Sequence, residues 1–121
     1  LFSGKFTKST EFESGDHRSF NRDGSAFDQG ETFSGLPYEH ALDVVEELKT
    51  ILPGEPPMAQ QALRWILDFP TVSTVIPGAS KIEQVESNLA ASDQPPLNPG
   101  IRAAIAKLYD ERVRSLVHHR W

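Results

Sequence analysis

The 121-residue chain contains no cysteine, which excludes disulfides, thiolate nucleophiles and cysteine-ligated zinc. A cysteine-free composition fits a cytoplasmic protein without requiring one. No apolar run approaches the roughly 20 residues of a membrane-crossing helix, and no secretory signal is visible, so no membrane span is expected. Positive charge is in deficit, with 12 Lys and Arg against 17 Asp and Glu. A surface of that balance argues against nucleic acid as a partner. No Ser-His-Asp or Cys-His arrangement offers a nucleophile. The four histidines lack a carboxylate pattern that would make one of them a base. Adjacent His118 and His119 lie about 100° apart on a helix, which places them poorly for one metal ion, and no metal is expected. Gly4-Lys5 lacks the upstream glycine spacing of a phosphate-binding P-loop.

What is present is organised around residues 72–88. Val72, Ser73, Thr74, Val75 and Ile76 are β-branched or small and predict a short buried strand. Pro77-Gly78 punctuates the run. Ser80 with Glu83 has the spacing of a capping box, and Ile82, Val85 and Leu89 then fall on one helical face. A strand turning into a helix leaves the first N–H groups of that helix unpaired, an anion site to which Ser80 and Lys81 would add. Gln84 and Asn88 follow one and two turns along. Spacing alone leaves an ordinary strand–helix turn, with a cap that serves folding only, as the simpler reading.

The rest of the chain supplies helices and one long loop. Residues 1–37 show no sustained period, and phenylalanines at 2, 6, 12, 20, 27 and 33 predict a folded loop pinned by aromatics. Phe20, Phe27 and Phe33 are read as core anchors. Arg18 and Arg22 lie in this loop; a guanidinium fork suits a phosphate, and a solvated loop charge is the alternative for each. Residues 38–52 read as a helix with Leu42, Val45, Leu48 and Leu52 on one stripe, ended by Pro53-Gly54. Ala59, Ala62, Leu63, Ile66 and Leu67 mark a second amphipathic helix, opened by Pro57 and stopped at Phe69-Pro70. Beyond a Pro-rich linker at 92–100, Asn98 and Pro99 cap and start a last helix carrying Ile101, Ile105, Leu108 and Leu116. A single strand cannot make a sheet, so residues 72–76 need partners from outside the 121 residues.

Residues 76–88 (IPGASKIEQVESN) resemble the last strand and helix of the aldo-keto reductase barrel. Residues 59–70 (AQQALRWILDFP) are similar to the helix before that strand. Residues 3–6 (SGKF) and 16–22 (DHRSFNR) resemble the loop after the seventh strand. The resemblance implies an α/β fold: a C-terminal fragment of a (β/α)8 TIM barrel, mostly helical, with one buried strand and a long loop. Residues 1–37 would be the loop after strand seven, which borders the substrate pocket in the family and so implies pocket walls as the alternative role for Phe20, Phe27 and Phe33. Residues 38–91 would hold helices, strand eight and helix eight, and residues 92–121 the linker and terminal helix. Such barrels take about 250 residues, so the chain is expected to be part of a longer protein.

The same resemblance implies NADP as cofactor, with its adenosine and 2′-phosphate held by Lys5, Arg18, Ile76, Gly78, Ser80, Lys81, Gln84 and Asn88. Gly78 and Gln84 stand where many members carry Lys and Arg, and Ser87 where a Glu often contacts adenine. In the absence of that Lys and Arg the chain resembles the branch of potassium-channel β subunits and related bacterial reductases, and residues 118–121 (HHRW) resemble the C-terminus seen in one branch of the family. The family's catalytic Tyr, Asp, Lys and His map onto no residue here; Tyr38 and Tyr109 stand outside that context, so no catalytic residue is assigned. The implied activity is hydride transfer to a small aldehyde or ketone by the full-length protein, with this chain alone inactive. A cofactor-binding regulatory subunit and a truncated, non-functional chain are the alternatives.

Overall fold

The computed structural model describes residues 1–120, the side chain of Gln29 excepted; Trp121 of the HHRW stretch lies outside the described residues. Helices follow one another as α1 (His17–Phe20), α2 (Tyr38–Ile51), α3 (Met58–Leu67), α4 (Ile82–Asp93), α5 (Pro99–Arg112) and α6 (Arg114–Val117). Single 3-10 turns occur at Gln29–Glu31, Phe33–Gly35 and His118–Arg120. Among the described residues there is no strand, sheet or barrel, which corrects the expected barrel fragment with its buried strand. Residues 72–79 run as irregular backbone, and Ile76 is 92% exposed. The physical reason is pairing: a strand exists through ladder hydrogen bonds to a neighbour. Among the described residues no other segment runs as a strand, so none supplies that neighbour.

The core forms where two amphipathic stripes meet. On α2, Ala41, Leu42, Val45 and Leu48 recur at helical spacing and are buried. Leu48 and Leu52 pack with Leu108 of α5, and Val44, Ile51, Met58, Ile101 and Ile105 surround them. Each such leucine is worth about 1.5–3 kcal/mol on burial. The predicted end of α2 holds: the Leu52 amide closes on the Leu48 carbonyl at 3.0 Å, and Pro53 cannot continue. So does the start of α5, where Asn98 Oδ1 accepts from the Gly100 amide at 2.8 Å with Pro99 as the first residue. An Arg112–Glu47 ion pair and a His40 ring contact to the Arg112 carbonyl, at 2.6 Å, tie α5 back to α2.

Residues 1–37 fold as a pinned loop. Phe6, Phe12, Phe33 and Tyr38 form an aromatic cluster, with ring centroids 4.7–6.0 Å apart. Tyr38 also donates its hydroxyl to the Thr7 carbonyl at 2.8 Å. Phe33 and Ser34 have positive φ, at 50° and 57°, a region that disfavours side chains. The ring of Phe33 against Tyr38 helps hold the chain there. Asn21, fully buried, is the loop's polar staple: its Oδ1 accepts from the amides of Ala26 and Phe27, and its Nδ2 donates to Asp28 O and Thr32 Oγ1. Phe33 is thus an anchor, while Phe20 and Phe27 pair edge-to-face with each other and are nearly half exposed.

Helix α3 departs from its reading. Its apolar stripe is only half-buried, and its one buried residue is Gln61, whose Nε2 donates to the carbonyls of Pro53 and Pro56 at 2.8 and 2.6 Å. Asp68, which the sequence did not single out, holds three elements together. Its side chain is 2% exposed; it accepts from Arg64 Nε at 2.9 Å and from the Leu97 amide at 3.0 Å. Arg102 of α5 lies 3.9 Å from its second oxygen. The i,i+4 Arg64–Asp68 spacing was the available signal.

Candidate functional site

The start of α4 gathers five of the eight expected residues, Gly78, Ser80, Lys81, Gln84 and Asn88, with Ile76 just before them. Lys81, not Ser80, is the N-cap, and it offers no side-chain cap. Gln84 instead turns back: its Oε1 accepts from the Ser80 amide at 2.7 Å and from the Ser80 hydroxyl at 3.1 Å. The expected Ser80–Glu83 capping box is therefore replaced by a Gln84–Ser80 clamp, because the amide oxygen satisfies two donors at once. One turn on, Asn88 Nδ2 reaches the Gly78 carbonyl at 3.5 Å. The two contacts fold residues 78–80 over the first turns of the helix.

The helix opening keeps donors free. Backbone bonds begin with Gln84 and Val85 donating to the Lys81 carbonyl, and among the described residues the amides of Ile82 and Glu83 have no acceptor, as expected of first-turn groups. An ideal Cβ on Gly78 would meet no atom within 4 Å, so the backbone there is open to approach. Lys81 is exposed, and no carboxylate among the described residues pairs with it. Beside this turn a groove of about 410 Å³ runs between α3 and α4, lined by Leu63, Leu67, Val75, Val85, Asn88 and Leu89. Ile76 lies almost fully in solvent. Ser87 is engaged across the helices, accepting from Gln60 Nε2 at 2.9 Å.

The other two expected residues lie elsewhere. Lys5 is exposed, next to a turn in which Gly4 has φ of 69°. Arg18 is already occupied. Its Nε donates to both carboxylate oxygens of Asp16, at 2.9 and 3.0 Å, and its Nη2 closes on the second of them. Its guanidinium carbon stands 5.4 Å from the Phe6 ring centroid and 4.9 Å from that of Phe12. The Arg18 hydrogen bonds hold the Asp16 carboxyl well down, at about 2. Among the described residues no hydrogen bond, ion pair or ring contact joins Lys5 or Arg18 to residues 78–88. Arg22 stacks on Phe12 and Tyr38, 5.7 and 4.9 Å from their centroids.

The donors at the helix opening are of a kind that receives phosphate: an unpaired helix start and an exposed ammonium. Among the described residues no group of three or more His, Asp or Glu could hold a metal ion, and no helix is long and apolar enough to cross a membrane. His118 Nδ1 lies 2.8 Å from the Tyr109 hydroxyl.

The model of the aldo/keto reductase family matches residues 1–110, and the chain belongs to that family. It thereby falls among oxidoreductases that act on small carbonyl compounds and typically use NAD(P)H. No curated protein and no solved structure matches it.

Proposed function

We propose that this chain is the C-terminal, cofactor-holding part of an NADP-dependent aldo/keto reductase that reduces aldehydes or ketones. The observation that carries the reading is the helix opening at residues 78–88, where the Gln84–Ser80 clamp fixes the turn and, among the described residues, the first-turn amides of α4 and the exposed Lys81 have no partner. NADPH, when bound, would supply the hydride.

The chain's own residues would hold the far end of that cofactor. The free first-turn amides of α4 and Lys81 would receive a phosphate. Gly78 would let the backbone close on it, since no Cβ intervenes. Asn88 would offer its amide to an adenine edge. Lys5 and Arg18 would contribute positive charge from the loop, Arg18 through the fork edge that Asp16 leaves open.

The test is NADPH titration of the full-length gene product, followed by protein fluorescence, beside consumption of NADPH with a generic aldehyde. Gln84→Ala, which frees Ser80 from its clamp, is expected to weaken NADPH about tenfold, in line with the loss of one or two polar contacts. Failure of the unmodified protein to bind either NADPH or NADH sinks the proposal. Binding without turnover of any aldehyde or ketone would move the reading to a regulatory subunit.

A further inference from the structure

We infer that Asp16 sets the dinucleotide preference of this protein by competing, inside the chain, for the guanidinium fork of Arg18. The inference rests on the reading that Arg18 faces the 2′-phosphate, and it deepens that reading by naming what opposes it.

A guanidinium recognises phosphate through two parallel N–H bonds along one edge, and a carboxylate takes the same edge with the same geometry. In Arg18 the Nε–Nη2 edge is filled: Nε reaches both oxygens of Asp16 and Nη2 reaches one. Rings of Phe6 and Phe12 stack against the group. Nη1 alone bonds nothing among the described residues. An arriving phosphate therefore meets a cation whose charge is largely matched, with a fixed carboxylate at its side.

Asp16 is not free to swing away. Its Oδ1 also accepts from the Arg18 amide at 2.8 Å, capping α1. Its own carbonyl accepts from the amides of Ser19 and Phe20, at 2.8 and 3.3 Å. Removing the carboxylate from Arg18 would uncap that turn, so the competition is built into the backbone. Arg22, one turn on, has no carboxylate partner among the described residues and provides the internal comparison.

Asn caps a helix about as well as Asp, so Asp16→Asn keeps the turn and removes the charge. Dissociation constants for NADPH and NADH are to be measured on the full-length protein as wild type, Asp16→Asn, Arg18→Ala, Arg22→Ala and the two double variants that combine Asp16→Asn with Arg18→Ala and with Arg22→Ala. Asp16→Asn is expected to raise the preference for NADPH over NADH about three- to tenfold, the range for freeing a partly exposed ion-paired group. The gain is expected to vanish when Arg18 is already Ala and to persist when Arg22 is Ala. A shift in preference below twofold, while Arg18→Ala alone weakens NADPH, overturns the inference and leaves the reading of Arg18 standing. Equal weakening of both cofactors by Asp16→Asn makes the residue structural and also overturns it. Arg18→Ala without effect on either cofactor removes the underlying reading, and the inference with it.

Discussion

The α2–α5 pair and the 72–89 segment carry apolar residues at comparable density, yet one is packed and the other open. Leu48, Leu52 and Leu108 are no more than 9% exposed, whereas Ile76, Ile82 and Leu89 are 92%, 74% and 66% exposed. Helical spacing states that a face is apolar; whether a matching face exists within the same chain is a separate, non-local fact. For α2 the match is α5. α4 meets α3 through the Gln60–Ser87 contact, while Val85 and Leu89 line the groove and Ile82 stands 74% exposed.

Truncation in the packed half has the largest expected effect. Leu108→Ala removes a buried side chain at the junction of α2 and α5, and large-to-small core changes of this type cost about 2–5 kcal/mol. Urea unfolding is expected to show a loss near 3 kcal/mol; a loss below 1 would erase the distinction between the regions. Asp68→Ala comes next, at about 2 kcal/mol, because it takes the carboxylate from a mostly buried Arg64, leaving its Nε and the Leu97 amide without an acceptor. Double substitution of Arg64 and Asp68 checks the mechanism: it is expected to cost less than the sum of the two single changes.

The cofactor residues sharpen the comparison in another currency. Arg18 belongs to the packed loop, and Arg18→Ala is expected to weaken NADPH about tenfold, roughly 1.4 kcal/mol, while NADH changes little. Ser80, Gln84 and Asn88 belong to the open segment, and their removal is expected to weaken both cofactors alike. Equal loss of both cofactors on Arg18→Ala would show that it does not read the 2′-phosphate.

What could be read from the sequence was what depends on near neighbours. Pro53-Gly54 ends α2 and Asn98-Pro99 starts α5 because backbone geometry and a cap at i+2 decide both locally. The pinning of residues 1–37 by phenylalanines also holds, since such rings seek burial. Residues 72–76 failed as a strand because β structure requires a partner and the propensity of Val and Ile cannot supply it. The Ser80–Glu83 box failed because the Gln84 amide oxygen takes both the Ser80 amide and the Ser80 hydroxyl, the two groups of Ser80 that the box would use. Asp16 was passed over because its pairing with Arg18 depends on the turn at α1, which two residues of sequence do not reveal. The family resemblance was legible, since the family model matches residues 1–110 and such a match rests on residue order and not on how a segment packs.

Asp16 also gives a smaller, pH-dependent test of the packed loop. Its folded carboxyl sits at about 2, below the ordinary carboxylate value of 3.8, chiefly through hydrogen bonds from Arg18. A depressed folded value means that its stabilising contribution is complete above about pH 4 and is lost as pH falls through about 2. The difference in urea midpoint between wild type and Asp16→Asn is therefore expected to be constant from pH 7 to 5 and to shrink from pH 4 to 2. A difference unchanged down to pH 2 would mean that the Asp16–Arg18 pair is not formed in solution.

The smallest expected effect falls in the open segment and bears most directly on the comparison. Leu89 lies on the Ile82–Val85–Leu89 stripe but is 66% exposed, so Leu89→Ala removes little contact. Alanine is also at least as good a helix former. The change in unfolding free energy is expected to lie within about 0.5 kcal/mol of zero, against about 3 for Leu108→Ala. A loss of 2 kcal/mol or more at Leu89 would mean that this face is covered in solution. Repeating the measurement at tenfold higher protein concentration separates the two ways that could happen. A loss that grows with concentration assigns the cover to a second molecule; a constant loss assigns it to the chain itself, and α4 then packs as closely as α5.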